Sequence, residues 1–433
     1  MNPPIPAELQ TNRKSGFVFG RQEKDGYVCK PTEKEGHIGV FGGSGLGKTS
    51  CLAIPSIRAW QGPVFAIDIK GELSELSKVD RTNLQIFNPS DPNALGYDPY
   101  YFVDADPSHK TQRIKRIVYS LIKRPNDKAD PFWVTSARNL LLGELLFFYD
   151  LNYTFIETMH TIQSTPQQEI VNAVFKSDND KAIIYINEFK KAMDGGSQTV
   201  DGIIMQLMTD IKIFATDDDV IDAFSRERII TPDALESGGD VFIQVPESNL
   251  EIWAPMLNLI TSQFLTAFES REPQGYPILM LLDEFPRLGV VHGIASALAT
   301  LRSRRITITL LLQSISQLDY LYGSDQRKTI MDNLRYTAIL GVTEQSTQEY
   351  FSLAVGTYDR LMPGQSQSSR GLMSGGADSF GMSWSTAERR IIKPEQFGHL
   401  GEDIILLTTY GYFRVKKAPY YRDGGEGNTA RAR

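Results

Sequence analysis

The sequence predicts an α/β protein in which an all-α domain interrupts a mostly parallel sheet. Three observations favour this fold. Short, continuously apolar runs alternate with helical patterns, as they do when both faces of a sheet are covered. A glycine-rich motif follows the first run and precedes a helical pattern. Farther along the chain, a long stretch without strand patterns separates the early runs from the later ones.

Size and composition limit the class of protein. A chain of 433 residues suggests two domains, or one large α/β domain with an insertion. Hydrophobic residues make up 41% and charged residues 22%, which is ordinary for a globular protein and argues against a fibre or global disorder. The net charge of -7 disfavours a protein that coats nucleic acid through bulk positive charge. It is still compatible with a local basic patch on the surface. Two cysteines provide no disulfide framework, so we expect a reducing compartment.

Six apolar runs predict core strands, and a later segment predicts an edge hairpin. The runs are residues 37–42, 63–69, 240–245, 277–285, 306–313 and 336–342, and the hairpin is 403–421. Apolar residues at spacings of three and four predict only helices in the interrupting block.

These patterns predict a division of the chain into domains. The predicted parts are an N-terminal segment (1–35), an α/β domain in two pieces (36–102 and 225–421), an all-α domain (103–224) and a C-terminal tail (422–433). A stretch rich in glycine and serine at 363–385 predicts a flexible loop.

Residues 42–49, GGSGLGKT, match the phosphate-loop pattern in the required strand-to-helix context. Backbone N–H groups of such a loop converge on the phosphates of ATP, with Lys48 neutralising charge and the Thr49 hydroxyl holding Mg²⁺. Pro55 removes a backbone donor in the second turn of the helix that follows, which predicts a kinked or short helix. The predicted nucleotide-binding residues are Gly42, Gly43, Ser44, Gly45, Leu46, Gly47, Lys48, Thr49 and Ser50.

An acidic pair, Asp283 and Glu284, ends the apolar run at 277–285, where ligands collect in parallel α/β sheets. We expect Asp283 to hold the Mg²⁺ shell through water and Glu284 to polarise the water that attacks the γ-phosphate. Gln313 ends the next strand. This amide either senses the γ-phosphate and signals through the following helix, or only caps that helix.

Other charged residues have more than one interpretation. Arg302, Arg304 and Arg305 are candidates for an arginine finger that reaches a neighbouring subunit's nucleotide, for a DNA phosphate contact or for a solvated turn. A basic helical segment either contacts DNA or a protein partner, or forms a solvated face; its cations are Arg113, Lys115, Arg116, Lys123 and Arg124.

The segment IDIKGEL places three charged residues at the end of the second core strand. These residues are Asp68, Lys70 and Glu72. Lys70 or Glu72 either relays the state of the nucleotide, or the two side chains pair with each other.

Several separated segments, in matching order and spacing, resemble the TraG-type coupling proteins of conjugation and type IV secretion. The resemblance covers residues 36–421. Its segments are IPSIRAWQGPVFAIDIKGEL, NPSDPNALGYDPY, DPFWVTSARNLLLGEL, VFIQVPESNLEIWAPMLNLITSQFL, LLDEFPRLG, LLLQSISQLDYLYG and ERRIIKPEQFGHLGEDIILL.

The resemblance implies a RecA-like ATPase domain interrupted by an all-α domain. It also implies an ATP-driven protein that recruits relaxase-bound single-stranded DNA, or protein substrates, to a type IV secretion channel and helps to pump them. The implied partners are the channel ATPases and a membrane-anchoring protein. The implied assembly is a homo-hexamer that forms on nucleotide or DNA from a chain that can be monomeric in isolation. We expect a cytoplasmic protein recruited to the inner face of the cell membrane.

The sequence departs from this family at its start, where members usually carry two transmembrane helices. No run of 18 or more apolar residues occurs. This indicates either a branch that uses a separate membrane partner or a shortened chain. Two rival functions are a septal-type translocase of duplex DNA and a nucleotide-binding recruitment adaptor with little turnover. The short segment after the hairpin disfavours the translocase, and the intact Lys48, Thr49, Asp283 and Glu284 disfavour the adaptor.

Overall fold

The computed structural model describes residues 4–22, 26–122, 131–368 and 379–422. The strands of these residues are β1 Gln10–Thr11, β2 Phe17–Arg21, β3 Tyr27–Lys30, β4 Ile38–Gly42, β5 Val64–Ile69, β6 Leu84–Phe87, β7 Asp240–Val245, β8 Ile278–Leu282, β9 Ile306–Leu312, β10 Tyr336–Gly341, β11 Thr357–Ser368, β12 Ser379–Arg390, β13 Asp403–Thr408 and β14 Gly411–Lys416. The α-helices are α1 Ile54–Ala59, α2 Glu72–Ser77, α3 Tyr101–Ala105, α4 Lys110–Leu121, α5 Pro131–Asp150, α6 Phe155–Ser164, α7 Gln167–Phe175, α8 Asp180–Asp194, α9 Thr199–Ile211, α10 Ile213–Thr216, α11 Asp218–Ala223, α12 Pro232–Glu236, α13 Ala254–Glu269, α14 Ile294–Thr300, α15 Ser316–Asp332 and α16 Gln345–Val355.

One sheet organises the chain, in the strand order β1-β3-β2-β14-β13-β10-β4-β9-β8-β5-β7-β6. The seven strands from β10 to β6 run parallel, and the strands from β13 to β1 continue the sheet antiparallel. The six predicted core strands and the predicted hairpin β13–β14 are confirmed. Their continuous apolar character has a direct cause, since Phe65 and Ile67 of β5 enter one hydrophobic core while Val64 and Ala66 enter the core on the other face.

The N-terminal segment extends the sheet beyond the hairpin, which the sequence patterns missed. Strands β2 and β3 pair antiparallel, and Arg21 of β2 pairs with Lys416 of β14. The register between β2 and β3 shifts at Gly20, so these strands are short and bulged. Short strands that contain glycine and charged residues do not give the apolar runs from which the core strands were predicted.

The helix after the glycine-rich turn is short, as Pro55 predicted. It starts as one π-helical turn, Lys48–Ala53, and continues as α1. Proline has no N–H to donate to the carbonyl four residues earlier, and the N–H of Ile54 donates to the carbonyl of Thr49, five residues back. The helix ends before Trp60, and β5 follows within four residues.

A helical block lies between β6 and β7 and packs around α5. Leu140, Leu141 and Leu145 of α5 are buried in a hydrophobic core that also contains Phe65 of the sheet. The block and one face of the sheet therefore share a core, and the domain limits stay predictions. Within the described residues, no helix is both long enough and apolar enough to cross a membrane.

The segment predicted as a flexible loop at 363–385 differs from that prediction. Strands β11 and β12 pair antiparallel from Thr357 with Arg390 to Ser368 with Ser379, and together they form a separate two-stranded sheet. Backbone hydrogen bonds need no apolar side chains, so a glycine- and serine-rich sequence can form such a ribbon. The middle of the predicted loop, 369–378, lies outside the described residues.

Glu144 introduces a carboxyl group into the apolar interior of the helical block. Its side chain is fully buried, and neither carboxyl oxygen has a hydrogen-bond partner among the described residues. Burial raises the pKa of Glu144 to about 8. The folded protein therefore retains a proton at neutral pH that the unfolded chain releases.

We expect Glu144→Gln to stabilise the protein relative to the parent chain as the pH rises. Between the unfolded pKa near 4.5 and the folded pKa of about 8, the folded state of the parent binds more protons, so its free energy of unfolding falls with pH. The difference between the two proteins should grow by up to about 1.4 kcal/mol for each pH unit in this window and level off above it. Urea titrations at a series of pH values measure it.

The matched control is Glu169→Gln, which removes the same charge from an exposed position on the neighbouring helix α7. The free energy of unfolding of this variant should change with pH in the same way as that of the parent. A pH-independent difference between Glu144→Gln and the parent would show that Glu144 does not retain a proton in the folded state.

Candidate functional site

A cleft of about 770 Å³ opens at the carboxyl ends of the parallel strands. The glycine-rich turn, the ends of β5, β7, β8 and β9, and the residues after β14 all contribute to it. Its lining residues include Gly43, Ser44, Gly45, Gly47, Lys48, Thr49, Ser50, Asp283, Glu284 and Gln313 from the predicted site. This volume is in the usual range for small-molecule and cofactor sites.

The turn after β4 has the shape of a phosphate cradle. Gly45 and Gly47 both have left-handed backbone angles, with φ of 73° and 93°. A Cβ atom on Gly47 would lie 2.8 Å from the Cys51 sulfur, so glycine is required there for space as well as for conformation. Since the first turn of a helix leaves its N–H groups without intrahelical acceptors, the turn presents donors to a bound anion.

Two of the predicted phosphate-loop residues do not line the cleft. The Gly42 carbonyl accepts a hydrogen bond from Lys48 Nζ at 2.8 Å. The Leu46 side chain packs towards Gly341 and the core beneath the sheet. These residues therefore shape the loop, while their neighbours face the ligand space.

Lys48 is the central cation of the cleft. It is only 6% exposed, and its Nζ lies 3.4 Å from Glu284 Oε1. A buried ammonium without an anion is costly, and the Glu284 carboxylate offsets the charge of Lys48. An arriving phosphate can replace the Glu284 carboxylate as the partner of Lys48.

Asp283 and Glu284 follow β8 directly and occupy different environments. Asp283 is 7% exposed and its Oδ1 accepts a hydrogen bond from the Glu284 N–H at 3.0 Å. Burial, followed by the Glu284 charge, raises the pKa of Asp283 to about 7, while the Lys48 ammonium opposes the rise. Glu284 has a left-handed backbone with φ of 43°, an unfavourable conformation that turns its side chain into the cleft region.

Gln313 lies beside this acidic pair, as the sequence predicted. Its Nε2 donates a hydrogen bond to Glu284 Oε2 at 3.1 Å. Its own N–H donates to Gln317 Oε1 at 3.1 Å, and the N–H of Ser314 donates to the same oxygen at 3.4 Å. The Gln317 side chain therefore holds the turn between β9 and α15, and the Gln313 amide is bound to Glu284.

A second ion-pair network lies at the mouth of the cleft and was missed by the sequence analysis. Glu247 forms ion pairs with two cations: its Oε2 lies 3.0 Å from Lys70 Nζ, and its Oε1 lies 3.1 Å from Arg287 Nη1. The two cations lower the pKa of Glu247. Lys70 thus pairs with Glu247 and not with Glu72, which lines the cleft separately. Sequence analysis could have found Glu247 from its position just after β7, at the edge of the sheet where the parallel strands end.

Asp68 has a structural position within the predicted IDIKGEL motif. It is fully buried, and it accepts hydrogen bonds from the N–H groups of Leu73 at 2.9 Å and Ser74 at 2.8 Å. The Ser74 hydroxyl donates to it at 2.6 Å. Asp68 thereby fixes α2, whose residues form one wall of the cleft.

The three candidate finger arginines precede β9, at the edge of the sheet opposite the cleft. The seven residues of β9 separate the two edges by about 20 Å. Arg304 donates to the Arg271 carbonyl at 2.7 Å and Arg305 to the Gly275 carbonyl at 3.0 Å, whereas Arg302 has an exposed ion pair with Glu35 at 3.6 Å. Arg302 is therefore the least constrained of the three, and a finger role stays a prediction.

The basic segment of α4 is partly engaged within the chain. Arg113 pairs with Asp106 at 3.3 Å, and the Lys115 ammonium lies 5.6 Å from the Tyr119 ring. The predicted cations at positions 123 and 124 lie outside the described residues.

Comparison with known proteins is consistent with this geometry. A family model described as type IV secretory system conjugative DNA transfer matches residues 4–433. VirD4 of Rhizobium rhizogenes is 24% identical over an alignment 445 positions long, which covers 95% of this chain and 63% of that protein. The conjugal transfer protein TraG of Agrobacterium fabrum is 21% identical over an alignment 400 positions long, which covers 88% of this chain and 60% of that protein. The chain thus spans less than two thirds of the length of these curated relatives.

Solved structures show the same fold. The unbound bacterial conjugative coupling protein TrwB superposes with a TM-score of 0.72 at 19% identity, covering 95% of this chain and 89% of that chain. TrwB in complex with ADP and Mg²⁺ gives a TM-score of 0.72 at 18% identity, covering 95% of this chain and 90% of that chain. The predicted α/β fold class is confirmed.

The fold and the cleft define a phosphate-loop protein with a RecA-like parallel sheet. The chain belongs to the type IV secretory system conjugative DNA transfer family, the family of the VirD4 and TraG coupling proteins.

We expect Glu247→Gln to increase the affinity of the cleft for ADP by about two- to fivefold at low salt. The substitution leaves Lys70 and Arg287 without their shared anion, so the mouth of the cleft becomes more positive. Isothermal titration with ADP measures the change, which should diminish at about 0.5 M salt because the groups are solvent-exposed.

Glu251→Gln is the matched control, since it removes one charge from an exposed residue four positions farther along that does not line the cleft. This control should bind ADP like the parent. Equal or weaker ADP binding by Glu247→Gln would mean that Glu247 does not offset the cations.

Proposed function

We propose that this chain is the ATP-hydrolysing motor part of a type IV secretion coupling protein. The observation that carries the proposal is the chain of contacts from Lys48 to Glu284 to Gln313 beside the buried Asp283, all within one cleft. A cation for the phosphates, a carboxylate that can accept a proton and an amide that orients the carboxylate are groups that nucleotide hydrolysis uses.

We propose ATP and Mg²⁺ as the ligands of this cleft. TrwB is described in complex with ADP and Mg²⁺ and with a non-hydrolysable ATP analogue, and its fold resembles that of this chain. The Thr49 hydroxyl and the Asp283 carboxylate both line the cleft and suit the oxygen ligands that Mg²⁺ prefers. Mg²⁺ bound there would neutralise phosphate charge and favour the ionised form of Asp283.

The side chains of the cleft then take distinct roles in the proposed reaction. Lys48 exchanges its contact with Glu284 for the β- and γ-phosphates of the nucleotide. The released Glu284 carboxylate accepts a proton from the attacking water. Gln313 holds Glu284 in place, and its contact with Gln317 links the occupancy of the cleft to α15.

We also propose the substrates and partners of the motor from its family. The cargo is single-stranded DNA bound to its relaxase, or a protein substrate, which the motor delivers to the secretion channel and its ATPases. The active assembly is a homo-hexamer on the cytoplasmic side of the membrane, held there by a membrane-anchoring partner. In such a ring, Arg302 would act as the finger on a neighbouring subunit's nucleotide, since Arg304 and Arg305 are tied to backbone carbonyls.

We expect Lys48→Ala to abolish ATP hydrolysis and Glu284→Gln to bind ATP yet hydrolyse it at least about 10²-fold more slowly. Lysine removal eliminates phosphate neutralisation, whereas the glutamine keeps the shape of Glu284 without its basicity. Phosphate-release assays measure turnover, and titration with ATP measures binding. Glu227→Gln, an exposed position outside the cleft, is the control and should hydrolyse ATP normally. Normal turnover by Glu284→Gln would exclude it as the base.

We expect single-stranded DNA to stimulate ATP turnover, and mass photometry with ATP and DNA to show rings.

Lys48→Ala and Arg302→Ala should each be inactive alone but regain turnover when mixed, because an intact site then meets an intact finger across a subunit interface. Arg304→Ala is the matched control and should hydrolyse ATP by itself, because it keeps both the intact site and the proposed finger Arg302. A monomer under all conditions would contradict the ring, and turnover that DNA never stimulates would favour the recruitment adaptor.

A further inference from the structure

We propose that Tyr421, which lines the cleft, is the platform on which the nucleoside base stacks. The proposal rests on the proposed function, since it requires a nucleotide on the phosphate loop. It adds a base-binding subsite and a basis for base selectivity to that site.

The lining of the cleft includes two kinds of surface. Asp283, Glu284 and Gln313 follow the strand ends and are polar or charged. Ile54, Leu76, Tyr420 and Tyr421 supply apolar and aromatic surface, and Leu76 and Tyr420 both contact Arg58. A nucleotide also has two kinds of surface, an anionic phosphate chain and an aromatic base. Phosphates held at the glycine-rich turn therefore leave the aromatic surface to the base.

The Tyr421 ring is available to a ligand. The side chain is 64% exposed even though it lines the cleft. Its ring meets the Tyr420 ring edge-on, with centroids 5.4 Å apart and planes at 81°. An edge-on contact covers little of a ring face, so a planar base can stack on Tyr421.

Tyr420, the neighbour that the Tyr421 ring contacts, is fixed to the helix that follows the phosphate loop. Tyr420 is partly buried against the core, and the Arg58 guanidinium of α1 lies 5.2 Å from its ring centroid. Arg58 is itself held, because its Nε donates to the Leu76 carbonyl at 2.9 Å. The aromatic pair and the phosphate loop are thus parts of one packed unit, and such rigidity favours a preformed subsite.

Stacking allows the subsite to bind nucleotides with different bases. Every base offers a π face, so a stacking platform binds different bases without reading their edges. Glu72 and Glu75 line the cleft from α2, the helix that also carries Leu76, and their carboxylates only accept hydrogen bonds when ionised. Adenine and guanine both carry N–H donors for such acceptors, so we expect ATP and GTP to bind with similar affinity.

The test compares three probes by isothermal titration in the presence of Mg²⁺, namely ADP, GDP and inorganic tripolyphosphate. We expect Tyr421→Ala to weaken ADP and GDP binding by about tenfold and to leave tripolyphosphate binding within twofold. Tyr421→Phe keeps the ring and should bind all three probes like the parent. Tyr276→Ala removes a half-exposed tyrosine outside the cleft and is the matched control.

The outcomes separate this proposal from the proposed function. A parent protein that binds neither ADP nor tripolyphosphate would overturn both. A parent that binds ADP, together with a Tyr421→Ala variant that binds it equally well, would overturn only the base platform. Equal losses for ADP and tripolyphosphate would also overturn it, because the effect would then lie on the phosphates. If Tyr421→Ala weakened the binding of ADP but not of GDP, the result would contradict stacking and would indicate recognition of the edge of adenine.

Discussion

The parallel arrangement of seven neighbouring strands, from β10 to β6, is the constraint on which the functional site depends. Parallel strands have their carboxyl ends at one edge of the sheet, so residues far apart in sequence meet there. Lys48, Glu284 and Gln313 follow three neighbouring strands, β4, β8 and β9. An antiparallel order would place the end of every second strand at the opposite edge and would separate these side chains.

The charges gathered at this edge depend on one another. Lys48 is buried against Glu284. Glu284 adopts an unfavourable backbone conformation, and its carboxylate also accepts a hydrogen bond from the Gln313 amide. The proximity of Glu284 helps to raise the pKa of Asp283, and Lys48 opposes that effect. Because each group sets the electrostatic environment of the next, a ligand that attracts Lys48 changes the whole set.

The helical block is connected to this edge through packing. Residues of α5 and Phe65 of β5 belong to one continuous hydrophobic core, whereas the opposite face of the sheet has a core of its own. A densely packed interface transmits displacements as rigid-body movement, since close-packed side chains do not deform freely. A shift of α15 or the strand ends on nucleotide binding can therefore reach the helical block without a dedicated contact.

The sequence by itself determined the parallel sheet, the phosphate loop, the acidic pair and the place of Gln313, because periodicity and short-range motifs encode them locally. It did not reveal the strands of the N-terminal segment or the ribbon β11–β12, since short or polar strands depend on pairing partners distant in sequence. Only the tertiary structure joined Lys70 to Glu247 and brought Tyr421 to the cleft. These contacts form between segments more than a hundred residues apart, where no local pattern records which side chains will meet.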